Sequence, residues 1–313
     1  MSDRIRIRWP ELGQEVTATL ALGDNPELCD EFLARLPFAV IQSHPVVSGS
    51  SITCWVPYFS TAPMPTTESI TDAPPGRLRF SQATGSKISI QYGRGLEPMA
   101  QGVLGQVDPD GIPTLAEIGR RVWNNLYWEK GRITVEFEHL DSSVISPPET
   151  VDHPLAARFA AAAQRIVLNE PDDIRRIRKG EVADAGSFGQ YFSVWDAAHG
   201  LIRDYVVQTL FPLYSGLARE PLFVVRGAYD LLGARYHATL RFHGYVELAD
   251  FAAEFAEFLV ACDELDEIEL VFRHFLDYAN RIYSWSHEKF PWYLGMHFPK
   301  HSNIKAPGGR WVQ

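Results

Sequence analysis

Three groups of side chains in this 313-residue chain combine residue types that could carry out chemistry. The first group follows an apolar segment at Ser43-His44-Pro45 and continues with Glu68, Tyr92 and Arg94. Histidine exchanges protons near neutral pH, a partly desolvated glutamate serves as acid or base, and arginine holds a carboxylate through two parallel hydrogen bonds. The pattern is typical of a site for a small acid, but a strand-end histidine among ordinary surface charges gives the same pattern.

The other two groups lie in the second half of the chain. Tyr191, Trp195 and His199 follow one another at four-residue spacing, which places them on one helix face, with Asp196 beside them. Such a face forms either part of a helical core or a flat wall for a heteroaromatic ring. The C-terminal segment from Ser284 is rich in aromatic residues and histidines without regular metal-ligand spacing: Trp285, His287, Trp292, Tyr293, His297, His301 and Trp311.

Composition and motifs exclude several classes of function. The 39 acidic residues outnumber the 29 Lys and Arg residues, giving a net charge of −10, which disfavours nucleic acid as a partner. No apolar segment has the length of a membrane span or of a signal peptide core, so we expect a cytoplasmic protein without a membrane partner. The three widely spaced cysteines suit a reducing compartment and form no metal motif.

A nucleotide cofactor is also disfavoured by the sequence. The segment Gly93-Arg94-Gly95-Leu96-Glu97-Pro98 begins like a GxGxxG motif, but proline replaces the third glycine and no helix is predicted to follow. A dinucleotide site needs a strand, a glycine turn and a helix N-terminus together. We therefore predict that neither a metal nor NAD(P) is required, with NADH as the alternative.

Hydrophobic periodicity divides the chain into two domains of different type. Residues 1–145 contain many short strand patterns and two helices, which predicts a closed or nearly closed β-barrel. Residues 146–313 begin with a turn-rich stretch and are then helical almost throughout, which predicts an all-α bundle and an α+β chain overall. The near-heptad pattern from Phe251 to Ile282 predicts one long helix or two end to end. We expect its apolar face to be larger than short partner helices can cover, and so we expect a homo-oligomer, dimer or tetramer, through this domain.

Several short motifs, in order, resemble known families. Segments 43–50, 53–57, 68–71, 75–78 and 91–93 resemble cyclophilin-like bacterial domains of unassigned function. The sequence Gly189-Gln190-Tyr191-Phe192-Ser193-Val194-Trp195-Asp196-Ala197-Ala198 resembles the C-terminal helical bundle of the cucumopine and mikimopine (opine) synthases. The resemblance covers nearly the whole chain. It implies a cyclophilin-like barrel, an oligomeric bundle, and a condensation of L-histidine with 2-oxoglutarate through an imine. Attack by the imidazole carbon, a Pictet–Spengler cyclisation, then closes the ring without a hydride.

This chemistry assigns roles to the candidate residues. We expect His44, Glu68 and Tyr92 to be catalytic, exchanging protons with the carbinolamine, the imine and the closing ring. The expected substrate-binding residues are Arg94, Arg79, Trp55, Tyr191, Trp195 and Asp196. We place this site at the junction of the two domains, within or between subunits. Two alternatives stay open: an NAD(P)H-dependent imine reductase of the same substrates, and a non-catalytic oligomeric protein that binds a small acid.

Overall fold

The computed structural model describes residues 3–45, 47–129, 131–140, 151–179, 181–182 and 191–290, apart from the side chains of Tyr127 and residues 191–193. The chain divides into two compact units, residues 1–149 and 150–313. The predicted domain boundary at 145/146 lies outside the described residues. Within the described part of the chain, no helix combines the length and the apolar character that crossing a membrane requires.

The first unit is a nine-stranded antiparallel sheet with two helices. Alternating sequences such as Arg4-Ile5-Arg6-Ile7-Arg8-Trp9 form its strands because every second side chain is buried on one face. The strands are β1 Arg4–Trp9, β2 Gln14–Leu20, β3 Phe38–Ile41, β4 Gly49–Trp55, β5 Thr67–Ser69, β6 Arg77–Ser81, β7 Lys87–Gly95, β8 Ala100–Val107 and β9 Thr134–His139. The helices are α1 Pro26–Ala34 and α2 Ile112–Asn124, the latter continuing into a π-helical turn at Asn125–Glu129.

The strand order closes the sheet on itself. The path runs β3-β9-β1-β2-β8-β6-β7-β4, with β5 added beside β8. Its two ends meet where Ser43, just after β3, exchanges both backbone hydrogen bonds with Thr53 of β4 at 2.7 and 2.8 Å. The Gln42 side chain also donates to the Thr53 carbonyl at 2.7 Å. The first unit is therefore a barrel whose seam lies next to His44.

The second unit is helical. After α3 Pro154–Arg165 and α4 Asp172–Arg178, one nearly continuous stretch combines α5 Tyr191–Asp196, α6 Ile202–Tyr205 and α7 Phe211–Gly216 with π-helical turns at Ala197–Leu201 and Val206–Leu210. The later helices are α8 Leu222–Ala228, extended by a π-helical turn at Tyr229–Gly233, then α9 Tyr236–Phe242, α10 Val246–Ala261 and α11 Leu265–Lys289. This order confirms the predicted α+β class.

The phenylalanine-rich pattern forms two helices, α10 and α11, with a break at Cys262–Glu264. Phe255 of α10 packs against Phe272 and Phe275 of α11, with ring centroids 4.5 and 5.1 Å apart. Phe159 of α3 covers Phe251 and Phe275. The expectation that this apolar face is larger than its partner helices can cover is wrong for most of the stripe, which is buried within the unit; Leu265 is the exposed exception, at 46%.

Candidate active site

A buried polar face lies on the first unit's sheet. Directly opposed residues of neighbouring strands share a face, and the register aligns alternate residues of β4, β6 and β7. We call this set the polar sheet face: Ser51, Thr53, Trp55, Arg79, Ser81, Lys87, Ser89 and Gln91. All except the half-buried Lys87 are at most 3% exposed. The opposite face of the same strands is apolar and includes Ile52, Leu78, Phe80, Ile88 and Ile90.

Arg79 occupies the middle of the polar sheet face and is fully buried. Its Nη2 donates to Gln91 Oε1 at 2.5 Å, and the Gln91 amide is itself held by the Gly93 carbonyl at 2.6 Å. Arg79 Nε and Nη1 have no hydrogen-bond partner among the described residues. Burial lowers the pKa of Arg79 to about 10, which leaves it charged at neutral pH. A buried cation with unused donors is the arrangement that an anionic ligand would complete.

Lys87 lies on the same face, diagonally across from Arg79 in the register. Its Nζ is 5.2 Å from the centroid of the Trp55 ring, a cation–π contact. Burial lowers the pKa of Lys87 to about 8, with a smaller lowering from Arg79 and an opposing effect of Glu97. Sequence reasoning missed Lys87 as a candidate site residue. The available signal was that Lys87, Ser89 and Gln91 alternate with isoleucines and therefore share one face of a strand.

Glu68 lies on β5, opposite Gln101 of β8. Its Oε2 accepts a hydrogen bond from Arg77 Nε at 2.8 Å, and both side chains are about one-fifth exposed, at 21% and 24%. The Glu68 charge also acts on Arg79, whose pKa it raises against the larger effect of burial. Gln101 Oε1 is buried without a partner among the described residues. Glu68 therefore lies within electrostatic range of Arg79 at one border of the polar sheet face.

His44 and Tyr92 form a separate, hydrogen-bonded pair. His44 Nδ1 lies 2.6 Å from the Pro45 carbonyl, and Nε2 lies 2.7 Å from the Tyr92 hydroxyl. A carbonyl only accepts, so Nδ1 carries the proton and Nε2 accepts from Tyr92. Burial lowers the pKa of His44 to about 4 and raises that of Tyr92, so both are neutral at pH 7. Tyr92 follows Gln91 along β7 and thus points to the other side of the strand.

Helix α2 holds this pair in place. Gly119 lies directly on the Tyr92 ring, where a Cβ atom would come within 2.3 Å of a ring carbon. One turn later, Trp123 meets the His44 ring edge-to-face at 4.9 Å. The absence of a side chain at Gly119 lets the helix approach closely enough for Trp123 to reach His44.

The predicted aromatic face of the helical unit exists in part. Trp195 stacks on His199 at 5.0 Å, and His199 meets His287 of α11 at 4.2 Å. His199 Nε2 lies 2.5 Å from the Phe290 carbonyl, and burial lowers the pKa of His199 to about 4. Asp196 is exposed. The Tyr191 side chain lies outside the described residues, as do Trp292, Tyr293, His297, His301 and Trp311.

Sequence reasoning also missed polar side chains buried along α11. Asn280 and Arg281 are 0% and 2% exposed, and neither amide atom of Asn280 has a partner among the described residues. His274, Asp277, Ser284 and Glu288 are also buried. The signal that could have found them is the position of these polar residues within an otherwise apolar heptad pattern.

The structure thus brings some predicted residues together and separates others. His44 contacts Tyr92, while Trp55 and Arg79 share the polar sheet face and Glu68 borders it. Arg94 is exposed at the end of β7.

Strand β8, rather than a helix, follows the Gly93–Pro98 segment. Among the described residues, no three His, Cys, Asp or Glu side chains are grouped to hold a metal ion. The roles of all these residues stay predictions.

Fold and site together define a two-part chain, an antiparallel barrel with a buried cationic face followed by a helical bundle. More particularly, residues 153–289 match the family model of the cucumopine synthase C-terminal helical bundle domain, which confirms the resemblance of the helical half. Among solved structures, the chain is similar to McbB in complex with tryptophan. The two are 25% identical with a TM-score of 0.82, over 93% of this chain and 98% of McbB. A comparison with curated proteins finds no match.

Proposed function

We propose that this protein condenses a heteroaromatic amino acid, of the histidine or tryptophan type, with a 2-oxo acid. The single observation that carries the proposal is the buried Arg79 with two unused donor atoms, because such a site suits a substrate carboxylate. The match of the helical unit to the cucumopine synthase domain supports a reaction of the opine-synthase type. The similarity to McbB, solved with bound tryptophan, supports an aromatic amino acid as one substrate.

The proposed reaction is a Pictet–Spengler cyclisation. The α-amine adds to the ketone carbon, and the resulting carbinolamine loses water to form an imine. A carbon of the amino acid's ring then attacks the carbon of the protonated imine, whose C=N double bond becomes a C–N single bond. The attacking ring carbon loses its proton to a base, which restores the aromatic ring. The product has the mass of both substrates less one water, and no hydride is transferred.

The residues of the first unit suit these steps. Arg79 binds a carboxylate and so orients the reacting acid. Holding two substrates in a reactive orientation can contribute a large fraction of the rate enhancement in a reaction between them. Glu68, beside the two arginines Arg77 and Arg79, is our candidate base for the ring proton. Tyr92 and the neutral His44 form a donor–acceptor pair on the other side of β7 from Arg79, so their catalytic role stays a prediction from the sequence.

Product analysis tests the function. The purified protein is incubated with histidine or tryptophan and 2-oxoglutarate or pyruvate, with and without NADH, and the products are identified by mass spectrometry. We expect a product of the summed mass less one water that borohydride does not reduce, because the cyclised product contains no imine. A ring-deuterated amino acid should lose the label from the attacking carbon. A product with two additional hydrogens that forms only with NADH would identify a reductase instead, and binding without turnover a non-catalytic protein.

A further inference from the structure

Two cations on the polar sheet face have no carboxylate partner in the part of the chain that the structure describes. Arg79 and Lys87 make no ion pair with any described residue, whereas the neighbouring Arg77 is paired with Glu68. Glu97, the one carboxylate with a resolved effect on Lys87, accepts a hydrogen bond from Ser48 Oγ at 2.5 Å. Bringing two like charges together in a mostly buried place is unfavourable unless a ligand neutralises them.

The register sets the spacing of these two charges. Arg79 is opposite Ser89, and Lys87 is opposite Ser81, so Arg79 and Lys87 are diagonal neighbours on the same face. Diagonal neighbours of this kind lie about 7–8 Å apart, and both side chains are long enough to converge on one small molecule. Trp55, opposite Lys87 on β4, supplies an apolar surface beside it.

We infer that Arg79 and Lys87 form a two-point site for a dicarboxylic acid, in which Lys87 binds the second carboxylate of the oxo acid substrate. Lys87 then determines specificity for dicarboxylic over monocarboxylic oxo acids. The inference rests on the proposed function where it takes the dicarboxylic acid to be a substrate. Binding of a dicarboxylic acid at Arg79 and Lys87 can be measured directly, without turnover.

Binding measurements test the site without turnover. Calorimetry measures the binding of three probes: 2-oxoglutarate, glutarate and 2-oxobutyrate. The wild-type protein is compared with Lys87→Met and Lys87→Arg. Lys179→Met is the control variant, because it removes an exposed lysine of the helical unit. We expect both dicarboxylates to bind wild-type protein at least about tenfold more tightly than 2-oxobutyrate, because one charged contact is lost in the shorter acid. Lys87→Met should remove this preference without weakening 2-oxobutyrate binding, whereas Lys87→Arg and Lys179→Met should retain it.

The pH dependence gives a second readout. Trp55, Arg79 and Glu97 are the groups that act on Lys87, and its pKa of about 8 lies below that of Arg79, about 10. Glutarate affinity should therefore fall between pH 7 and pH 9 in wild-type protein, and 2-oxobutyrate affinity should not.

Equal affinities of the wild-type protein for dicarboxylates and 2-oxobutyrate would overturn the inference. An undiminished preference for dicarboxylates in a folded Lys87→Met protein would overturn it as well. Selective binding without a condensation product would refute the proposed function alone. Equally fast condensation of pyruvate and 2-oxoglutarate would refute the inference alone.

Discussion

At the scale of single residues, two arginines of one strand have opposite electrostatic situations. Arg77 forms an ion pair with Glu68 and keeps some contact with solvent. Arg79, two residues further along β6, is fully buried, and its only partner among the described residues is the neutral amide of Gln91. A buried charge without a counter-charge destabilises the folded protein when no ligand is bound. We therefore expect Arg79 to lower the stability of the unliganded protein.

The first prediction compares these two arginines by substitution. Arg79→Met removes the unpaired charge, so we expect the thermal stability of the unliganded protein to be unchanged or increased while carboxylate binding is lost. Arg77→Met should lower the stability slightly, because it breaks an ion pair that is partly exposed. Thermal denaturation with and without 2-oxoglutarate measures both effects. A large loss of stability in Arg79→Met alone would show that Arg79 is a structural residue.

The second prediction concerns proton transfer. Glu68→Gln keeps the shape of the side chain but removes its charge, and His44→Asn removes the acceptor of the Tyr92 hydroxyl. We expect either change to lower turnover by about 10²-fold or more while the protein remains folded. Glu136→Gln is the matched control, because it breaks a similar ion pair with Arg8 elsewhere in the barrel. Near-full turnover in both variants would refute the catalytic assignment.

The third prediction follows from the low pKa of His44. The unfolded chain takes up a proton on this histidine near pH 6.5, whereas the folded protein resists protonation down to about pH 4. Stability is therefore fully present above pH 6.5 and falls as the pH decreases towards 4. For one such histidine, about 2 kcal/mol is lost between pH 6.5 and pH 5. His199 acts in the same direction.

Urea denaturation at several pH values in this range measures the effect. His44→Asn should be less stable at pH 7 but should show a shallower decline between pH 6.5 and pH 5. An identical slope in the variant and the wild type would contradict the assigned ionisation of His44.

At the scale of elements, the contact between α2 and β7 depends on one small residue. Gly119→Ala places a methyl group within 2.3 Å of a Tyr92 ring carbon, so the helix or the ring must move. We expect a loss of about 1–3 kcal/mol in the free energy of unfolding and a weakened contact between Trp123 and His44. Gly227→Ala in α8 is the control, because that position is open and alanine favours the helix by up to about 1 kcal/mol. Denaturation and the fluorescence of Trp123 are the readouts, and equal stabilisation by both substitutions would contradict this packing.

Sequence periodicity predicts short strands in the first unit, but it does not predict that the polar sheet face is buried. The alternation in Lys87-Ile88-Ser89-Ile90-Gln91 defines two faces, and a polar face is usually taken as the solvated one. Burial of the polar side depends on packing that no local pattern reports. Gly102 and Gly105 interrupt the alternation of β8, so the sequence gives only a weak strand signal there. At Gly105 a Cβ atom would come within 2.5 Å of the Thr19 carbonyl oxygen, so the close approach of the two backbones requires glycine. Strand β5 is only three residues long and resembles a loop.

At the scale of the whole molecule, the homo-oligomer stays a prediction, but its expected surface changes. The stripe of α10 and α11 is buried, whereas α8 and the π-helical turn after it expose Phe223, Val224, Leu231 and Leu232 by 40–74%. We expect light scattering to give the mass of a dimer or tetramer at micromolar concentration. The double variant Phe223→Asp and Leu231→Asp should shift it to the monomer, whereas Leu96→Asp in the barrel should not. A monomeric wild-type protein would contradict the prediction.

The position of β9 between β1 and β3 also constrains how this protein can be synthesised. The ribosome produces β1 and β3 long before it reaches Thr134–His139, the segment that joins them. Until then, both strands have an edge of unpaired backbone groups, which is a template for pairing with other chains. The barrel can therefore close only after translation has passed β9. A premature stop before that point would yield an aggregation-prone fragment rather than a smaller barrel.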